Sequence, residues 1–319
     1  MNPSPQAEVW VDSHCHLWDG GAELVAEAHQ DGVAWLVDIG TDVPRSVAAL
    51  ERARTLTGVA ATIGLHPHDA DEGPAALDEL EQLIAAGHSP VAIGECGLDY
   101  YYEHSDRASQ REAFAAQIAM AHRYGLALVI HSRDAWEDTF DVLDAEGVPE
   151  GTVFHCFTGG PDEASGALER GASVSFSGIV SFRNAGEIRD AAALVPADSY
   201  LIETDAPYLA PVPMRGKQNR PSWVRFVGEA VAAARGIPAS QVAAETTANA
   251  VRIFGLGESD GPTDAREAEP PARAARERSE PERETQGEAA AQAARERSEP
   301  ERETSVPPTR GSVNSRMSS

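Results

Sequence analysis

Six side chains in this sequence, His14, His16, Glu95, His131, His155 and Asp205, are of the types that bind divalent metal ions, and each stands at the end of a short apolar run. His14 and His16 are two residues apart, so in extended chain both imidazoles point the same way and can share one ion while Cys15 points away. A single histidine at a strand end is more often a satisfied polar residue than a ligand; six such residues on successive strands are better explained together. Nitrogen and oxygen ligands without a thiolate suit zinc, manganese or magnesium, and ligand type does not choose among them. Two ions in one site need a bridging anion. Some metal-dependent barrels use a carboxylated lysine, yet the only lysine, Lys217, lies beyond the last apolar run. Glu95 is therefore assigned as the bridge, with His14, His16 and Asp205 completing one coordination sphere and His131 and His155 the other.

Two divalent ions about 3.5–4 Å apart lower the pKa of a water to about 7 and clamp a phosphoryl oxygen, which is hydrolytic chemistry at neutral pH. Glu95 and Asp205 are the expected catalytic carboxylates. Asp205 is placed to accept a proton from the attacking water, the plainer alternative being that it is a ligand only. His66, His68 and Arg133 fall near the same strand ends and are expected to contact the scissile phosphate. Arg215, Lys217 and Asn219 lie in the loop after the last run. In so acidic a chain a cationic pair there reads as an anion clamp, against the plainer reading of a solvated loop. Glu203 and Asp12 are expected to orient the ligands rather than bind metal. Cys15, Cys96 and Cys156 each adjoin a ligand, but strand alternation turns them away, so packing is their expected role.

The elements that must carry these residues are legible as eight β-rich runs: 9–11, 33–39, 59–65, 91–93, 126–130, 153–154, 172–176 and 200–202. Between most of them lie amphipathic, alanine-rich stretches such as 110–123 and 162–170, with helical periodicity. Alternating strands and helices imply parallel strands with right-handed crossovers. Eight such units in about 250 residues is the size of a TIM-like (β/α)8 barrel, with a doubly wound open sheet as the alternative. In a barrel all six ligands fall at the C-terminal ends of strands, where active sites are built.

The organisation predicted is an N-terminal extension over 1–8, the α/β barrel over 9–257, and a disordered, low-complexity charged tail over 258–319. The tail has no Leu, Ile, Phe, Trp, Tyr or Cys and repeats AARERSEPERET at 274–285 and 293–304. Such a segment cannot bury enough apolar area to offset its ordering entropy. The formal charge is -25, and 42% of residues are hydrophobic, enough for a sizeable core. That acidity argues against a protein that coats duplex DNA, since broad phosphate binding needs a basic surface. A buried group of cations would supply the attraction locally. No run approaches the ~20 apolar residues of a membrane span, the first residues lack a signal-peptide pattern, and three unpaired cysteines suggest reduced thiols, so a cytoplasmic protein without a membrane or obligate protein partner is expected.

The segments DSHCHL from Asp12, GLHPH from Gly64, AIGECGLDYYY from Ala92, VIHSRDA from Val129, HCFTGG from His155, SFSGIVSF from Ser175 and ETDAPYLAPVPMRGKQN from Glu203 follow one another in the chain. In this order they resemble the successive signatures of the TatD hydrolases, and TTANAVRIF, ending at Phe254, resembles their closing helix. The resemblance covers essentially 9–255. It implies that the matching residues bind two divalent metals as assigned above, and that the substrate is DNA, often single-stranded and degraded from the 3′ end. The tail has no counterpart in it. Two other functions are compatible with the same ligands. A metal-dependent esterase or amidase, such as an aminoacyl-tRNA deacylase, would use the same polarising ions on a carbonyl. A non-catalytic module would need a closed coordination sphere, whereas six ligands shared by two ions leave positions open.

Overall fold

A computed structural model describes residues 8–18 and 20–257. The charged tail over 258–319 and all but the last residue of the N-terminal extension lie outside the described residues. The eight expected strands are present: β1 (Trp10–Cys15), β2 (Val33–Asp38), β3 (Val59–Ile63), β4 (Ala92–Asp99), β5 (Ala127–Arg133), β6 (Val153–Phe154), β7 (Ser173–Phe176) and β8 (Tyr200–Ile202). All adjacent pairs are parallel and the order is sequential from β1 to β8. A doubly wound sheet would reverse its order at a switch point, so the open-sheet alternative is excluded. The ends of the sheet meet: Asp205 N donates to His14 O at 2.9 Å, His16 N to Ala206 O at 2.8 Å, and Ser13 Oγ to Ile202 O at 2.9 Å. These bonds draw β1 against the segment leaving β8 and make a nearly closed barrel.

Helices α1 (Gly21–Gln30), α2 (Val43–Thr55), α3 (Gly73–Ala85), α4 (Arg107–Tyr124), α5 (Trp136–Glu146), α6 (Pro161–Glu169), α7 (Gly186–Leu194), α8 (Val224–Arg235) and α9 (Ala239–Phe254) surround the strands. The helix expected over 110–123 is longer, starting at Arg107. The Asp106 carboxylate caps it by accepting from Ala108 N at 3.0 Å and Ser109 N at 3.1 Å, and Gly125 ends it at φ 62°. A large apolar layer, including Leu36, Phe114, Phe154, Phe176 and Val227, lies between strands and helices. A second, smaller cluster gathers Val11, Ala60, Ala92, Ala127, Val153 and Leu201 from the N-terminal ends of strands, packed with Phe254 and Leu256 at the end of α9. The closing helix thus seals one end of the barrel with hydrocarbon and leaves the other for polar chemistry. No described helix is long and apolar enough to cross a membrane.

Strand limits differ from expectation where chemistry intrudes. The first strand runs on through Asp12 and His14, the fourth through Glu95 to Asp99, and the fifth through His131 to Arg133. His14, Glu95 and His131 therefore lie within strands and not after them. Their polarity interrupts the β-branched pattern that sets strand limits in the sequence, and the pairing shifts register around His14 and Glu95 before it resumes at Cys15 and Cys96.

Candidate metal and substrate site

The open end of the barrel holds a cavity of about 1180 Å³ whose walls include His16, His66, His68, Glu95, His131, His155 and Asp205. The Glu95 carboxylate is its hub. Its Oε1 lies 2.7 Å from His155 Nε2, 3.1 Å from His131 Nδ1 and 3.4 Å from His66 Nε2, and its Oε2 lies 3.4 Å from His14 Nε2 and 4.0 Å from His16 Nε2. On the far side of the histidine pair, Asp205 Oδ1 is 3.4 Å from His16 Nε2 and 3.8 Å from His14 Nε2. The imidazoles of His14 and His155 stack with centroids 3.8 Å apart and planes within 7°.

Backbone architecture places these groups. Gly97 on β4 has φ 131°, and a Cβ there would lie 2.1 Å from His131 O. Only glycine permits β4 and β5 to approach this closely, which brings Glu95 and His131 side by side. Glu203, wholly buried, accepts from Cys156 N at 2.8 Å and lies 3.3 Å from His155 Nδ1, the nitrogen turned away from Glu95. Asp99 does the same for His131, with Oδ2 3.0 Å from Nε2.

Electrostatics follow from crowding. Burial alone would raise the Glu95 carboxyl, but the imidazoles of His155 and His66, with His131 and His14, hold it well below the usual carboxylate range. Burial opposes a charge on His155 as well, yet Glu95 and Glu203 raise it well above an ordinary imidazole. His66, with less compensation, is pushed down by burial to about 4.

The fit to a metal rests on buried nitrogen atoms that nothing else satisfies. Among the described residues, neither ring nitrogen of His14 nor Nδ1 of His16 has a hydrogen-bond partner. An unpartnered buried polar atom costs about 1–3 kcal/mol, which a coordinated cation would offset. Ligand atoms of His14, His16 and Asp205 lie within 4.8 Å of one another, as do those of His66, Glu95 and His131, and of His14, His155 and Glu203. The structure thus brings all six sequence-assigned ligands to one place and adds His66, which the sequence reading assigned to substrate.

Not every expected residue reaches the cavity. His66, His68 and Arg133 line it, whereas Arg215, Lys217 and Asn219 do not. The Arg215 guanidinium lies 3.7 Å over the Phe182 ring, and Asn219 Nδ2 donates to Thr204 O at 2.8 Å and Tyr208 O at 2.6 Å, tying down the loop after β8. Asp12 was expected to orient the histidine pair. Its carboxylate accepts from His14 N at 3.4 Å, and more closely from Thr204 Oγ1 at 2.5 Å and Thr204 N at 2.8 Å, so it also joins β1 to the segment after β8. Cys15 and Cys96 pack in the core as expected, but Cys156, at φ 43°, is only half-buried and lines the cavity. The positive φ breaks the strand alternation on which its outward placement was argued.

Sequence reasoning missed Trp18, Arg45, Asp99, Tyr101, Tyr102, His104 and Tyr208. Asp99 had a usable signal, since it stands four residues after Glu95 on one strand and so on the same side. Arg45 had none: it comes from the first turn of α2, and its guanidinium lies 4.9 Å over the Trp18 ring.

The family described as TatD related DNase matches residues 11–255. "Uncharacterized metal-dependent hydrolase YcfH" of Escherichia coli strain K12 is 39% identical over 254 residues, 76% of this chain and 95% of that one. "3'-5' ssDNA/RNA exonuclease TatD" of Shigella flexneri serotype 5b is 36% identical over 241 residues, 73% of this chain and 92% of that one. The crystal structure of YJJV, a TatD homologue from Escherichia coli K12, superposes with a TM-score of 0.75 and 26% identity, covering 79% of this chain and 100% of the other. With a family match spanning the whole barrel and relatives of this identity, the chain belongs to the TatD-related DNase family.

Proposed function

We propose that this chain is a divalent-metal-dependent hydrolase that cleaves phosphodiester bonds of single-stranded DNA, removing nucleotides from the 3′ end. The observation that carries the reading is the convergence of five imidazoles on the one Glu95 carboxylate, with Asp205 beside them, in a cavity wide enough for a nucleotide. His14, His16 and Asp205 would hold one ion, His131 and His155 the other, and Glu95 both. Two such ions supply Lewis acidity toward the phosphoryl oxygens and a nucleophile at neutral pH.

The protein's own groups do the rest. Asp205, on the cavity wall beside His16, accepts a proton from the attacking water. Glu203 and Asp99, from behind, keep the His155 and His131 rings turned toward Glu95. Arg133, with His68, meets the substrate phosphate in place of the Arg215 and Lys217 pair. A local cluster of cations also reconciles DNA cleavage with an acidic chain, and the free thiols Cys15, Cys96 and Cys156 accord with a cytoplasmic setting.

The test is to load purified protein with zinc, manganese or magnesium in turn and follow 5′-labelled single-stranded DNA beside a neutral carboxylic ester. Stepwise shortening from the 3′ end, abolished by chelator and by a 3′-terminal block, is expected. Faster turnover of the ester than of DNA in every metal would favour the esterase reading instead.

A further inference from the structure

Beside the ligand cluster, the turn that follows β4 carries three aromatic rings toward the cavity: Tyr101, Tyr102 and His104. Tyr101 is 59% exposed and Tyr102 51%, among the most exposed large hydrophobic side chains of the described residues. Exposed aromatic surface next to a polar site marks a binding surface more often than chance. The rings are not loosely held. The Asp99 Oδ1 atom accepts from Tyr101 N at 3.0 Å and Tyr102 N at 2.9 Å, and Gln110 Nε2 donates to Asp99 O at 3.1 Å and Ser105 O at 2.9 Å. The other oxygen of the same carboxylate lies 3.0 Å from His131 Nε2 and 3.1 Å from His68 Nε2. One side chain therefore fixes the aromatic turn in register with the ligand cluster.

A cation completes the arrangement. Arg133, at the end of β5, places its guanidinium 4.2 Å from the centroid of Tyr101 and 4.8 Å from that of Tyr102. Among the described residues it has no carboxylate partner, although the chain carries a formal charge of -25. Arg133 covers one side of these rings and His104 stacks on Tyr102 with centroids 5.6 Å apart, yet both tyrosines keep half or more of their surface exposed. A guanidinium without a carboxylate partner beside exposed aromatic rings matches a nucleotide, phosphate for the cation and base for the ring.

We infer that Tyr101 and Tyr102, registered by Asp99 and flanked by Arg133, form a stacking subsite for an unpaired nucleobase next to the phosphate being cut. This deepens the proposed function and rests on it. A paired base offers no free face to a side chain, so the subsite selects single strands by requiring a base that has left its stack. Tyr101 and Tyr102 are positioning residues: they touch the base and leave the reacting atoms to others.

The experiment compares the metal-loaded full chain with its Tyr101→Ala/Tyr102→Ala and Tyr101→Phe/Tyr102→Phe variants. Each is assayed on two single-stranded oligonucleotides, one intact and one with abasic sugars at the last two 3′ positions, with metal content measured throughout. Wild type is expected to show a KM about tenfold or more lower for the intact strand, with kcat changed less. The alanine variant should lose that discrimination while keeping its metal, and the phenylalanine variant should retain it, because stacking needs the ring and not the hydroxyl. Equal KM values for the two strands in wild type, or discrimination preserved in the alanine variant, would overturn the subsite while leaving the reaction intact. Failure of wild type to cut either strand with any metal would overturn the proposed function, and the subsite with it.

Discussion

At the scale of single residues, the site is organised around one carboxylate, and substitutions should show it. Glu95 lies within 3.4 Å of imidazoles in both halves of the proposed ligand set, whereas that assignment gives each histidine to one ion. Glu95→Ala is expected to lower bound metal more than alanine at His14, His16, His131 or His155 taken singly, as read by metal analysis of the dialysed proteins. Near-wild-type stoichiometry in that variant would remove Glu95 from the bridge. Arg133 and the Arg215 and Lys217 pair make a second contrast. Charge-assisted contacts to phosphate contribute about 1.5–3 kcal/mol, so Arg133→Ala should cost roughly tenfold or more in kcat/KM on DNA. The double variant Arg215→Ala/Lys217→Ala should cost little, because neither side chain lines the cavity. A reversed order in the kinetics would restore the clamp that the sequence suggested. The cluster of candidate ligands was legible in the sequence because His, Asp and Glu recur after successive apolar runs, a signal that survives errors in strand limits. The substrate side was legible only in part: His66, His68 and Arg133 line the cavity, whereas Arg215, in the loop after β8, lies on Phe182, because a side chain's reach depends on the loop that carries it.

At the scale of elements, the barrel depends on how its first and last strands meet. Asp12 is wholly buried on β1 and receives the Thr204 hydroxyl and backbone N–H from the other side of the seam. Thr204→Val keeps the shape and removes one donor from a buried carboxyl group. A loss of about 1–3 kcal/mol in unfolding free energy is expected, measured by denaturant titration. A change within error would mean that the remaining backbone contacts close the seam without the hydroxyl. The number and order of strands were readable from alternating β-rich and alanine-rich runs. The limits were not, since Asp12 to His14 and Glu95 to Asp99 read on composition as lying beyond the strands and belong to them in the fold. A barrel mouth tolerates such polar strand residues because they face one another and share hydrogen bonds and charge, a compensation that no single segment reveals.

At the scale of the whole molecule, the described fold is complete by Leu256, which is buried against the plug that α9 makes, and all proposed ligands lie upstream of it. Removing residues 258–319 is therefore expected to leave thermal stability and DNA hydrolysis nearly unchanged. Loss of most activity on truncation would show that the tail contributes to catalysis or to substrate capture. The central claim is that hydrolysis requires ions held by the Glu95 cluster. Its most direct test is a titration of metal-stripped protein with manganese, following bound metal and single-stranded DNA cleavage in the same samples. Activity is expected to rise with occupancy and level off near two equivalents per chain, with Glu95→Ala failing to reach either plateau. Cleavage at full rate in metal-stripped protein, or in Glu95→Ala, would contradict the account.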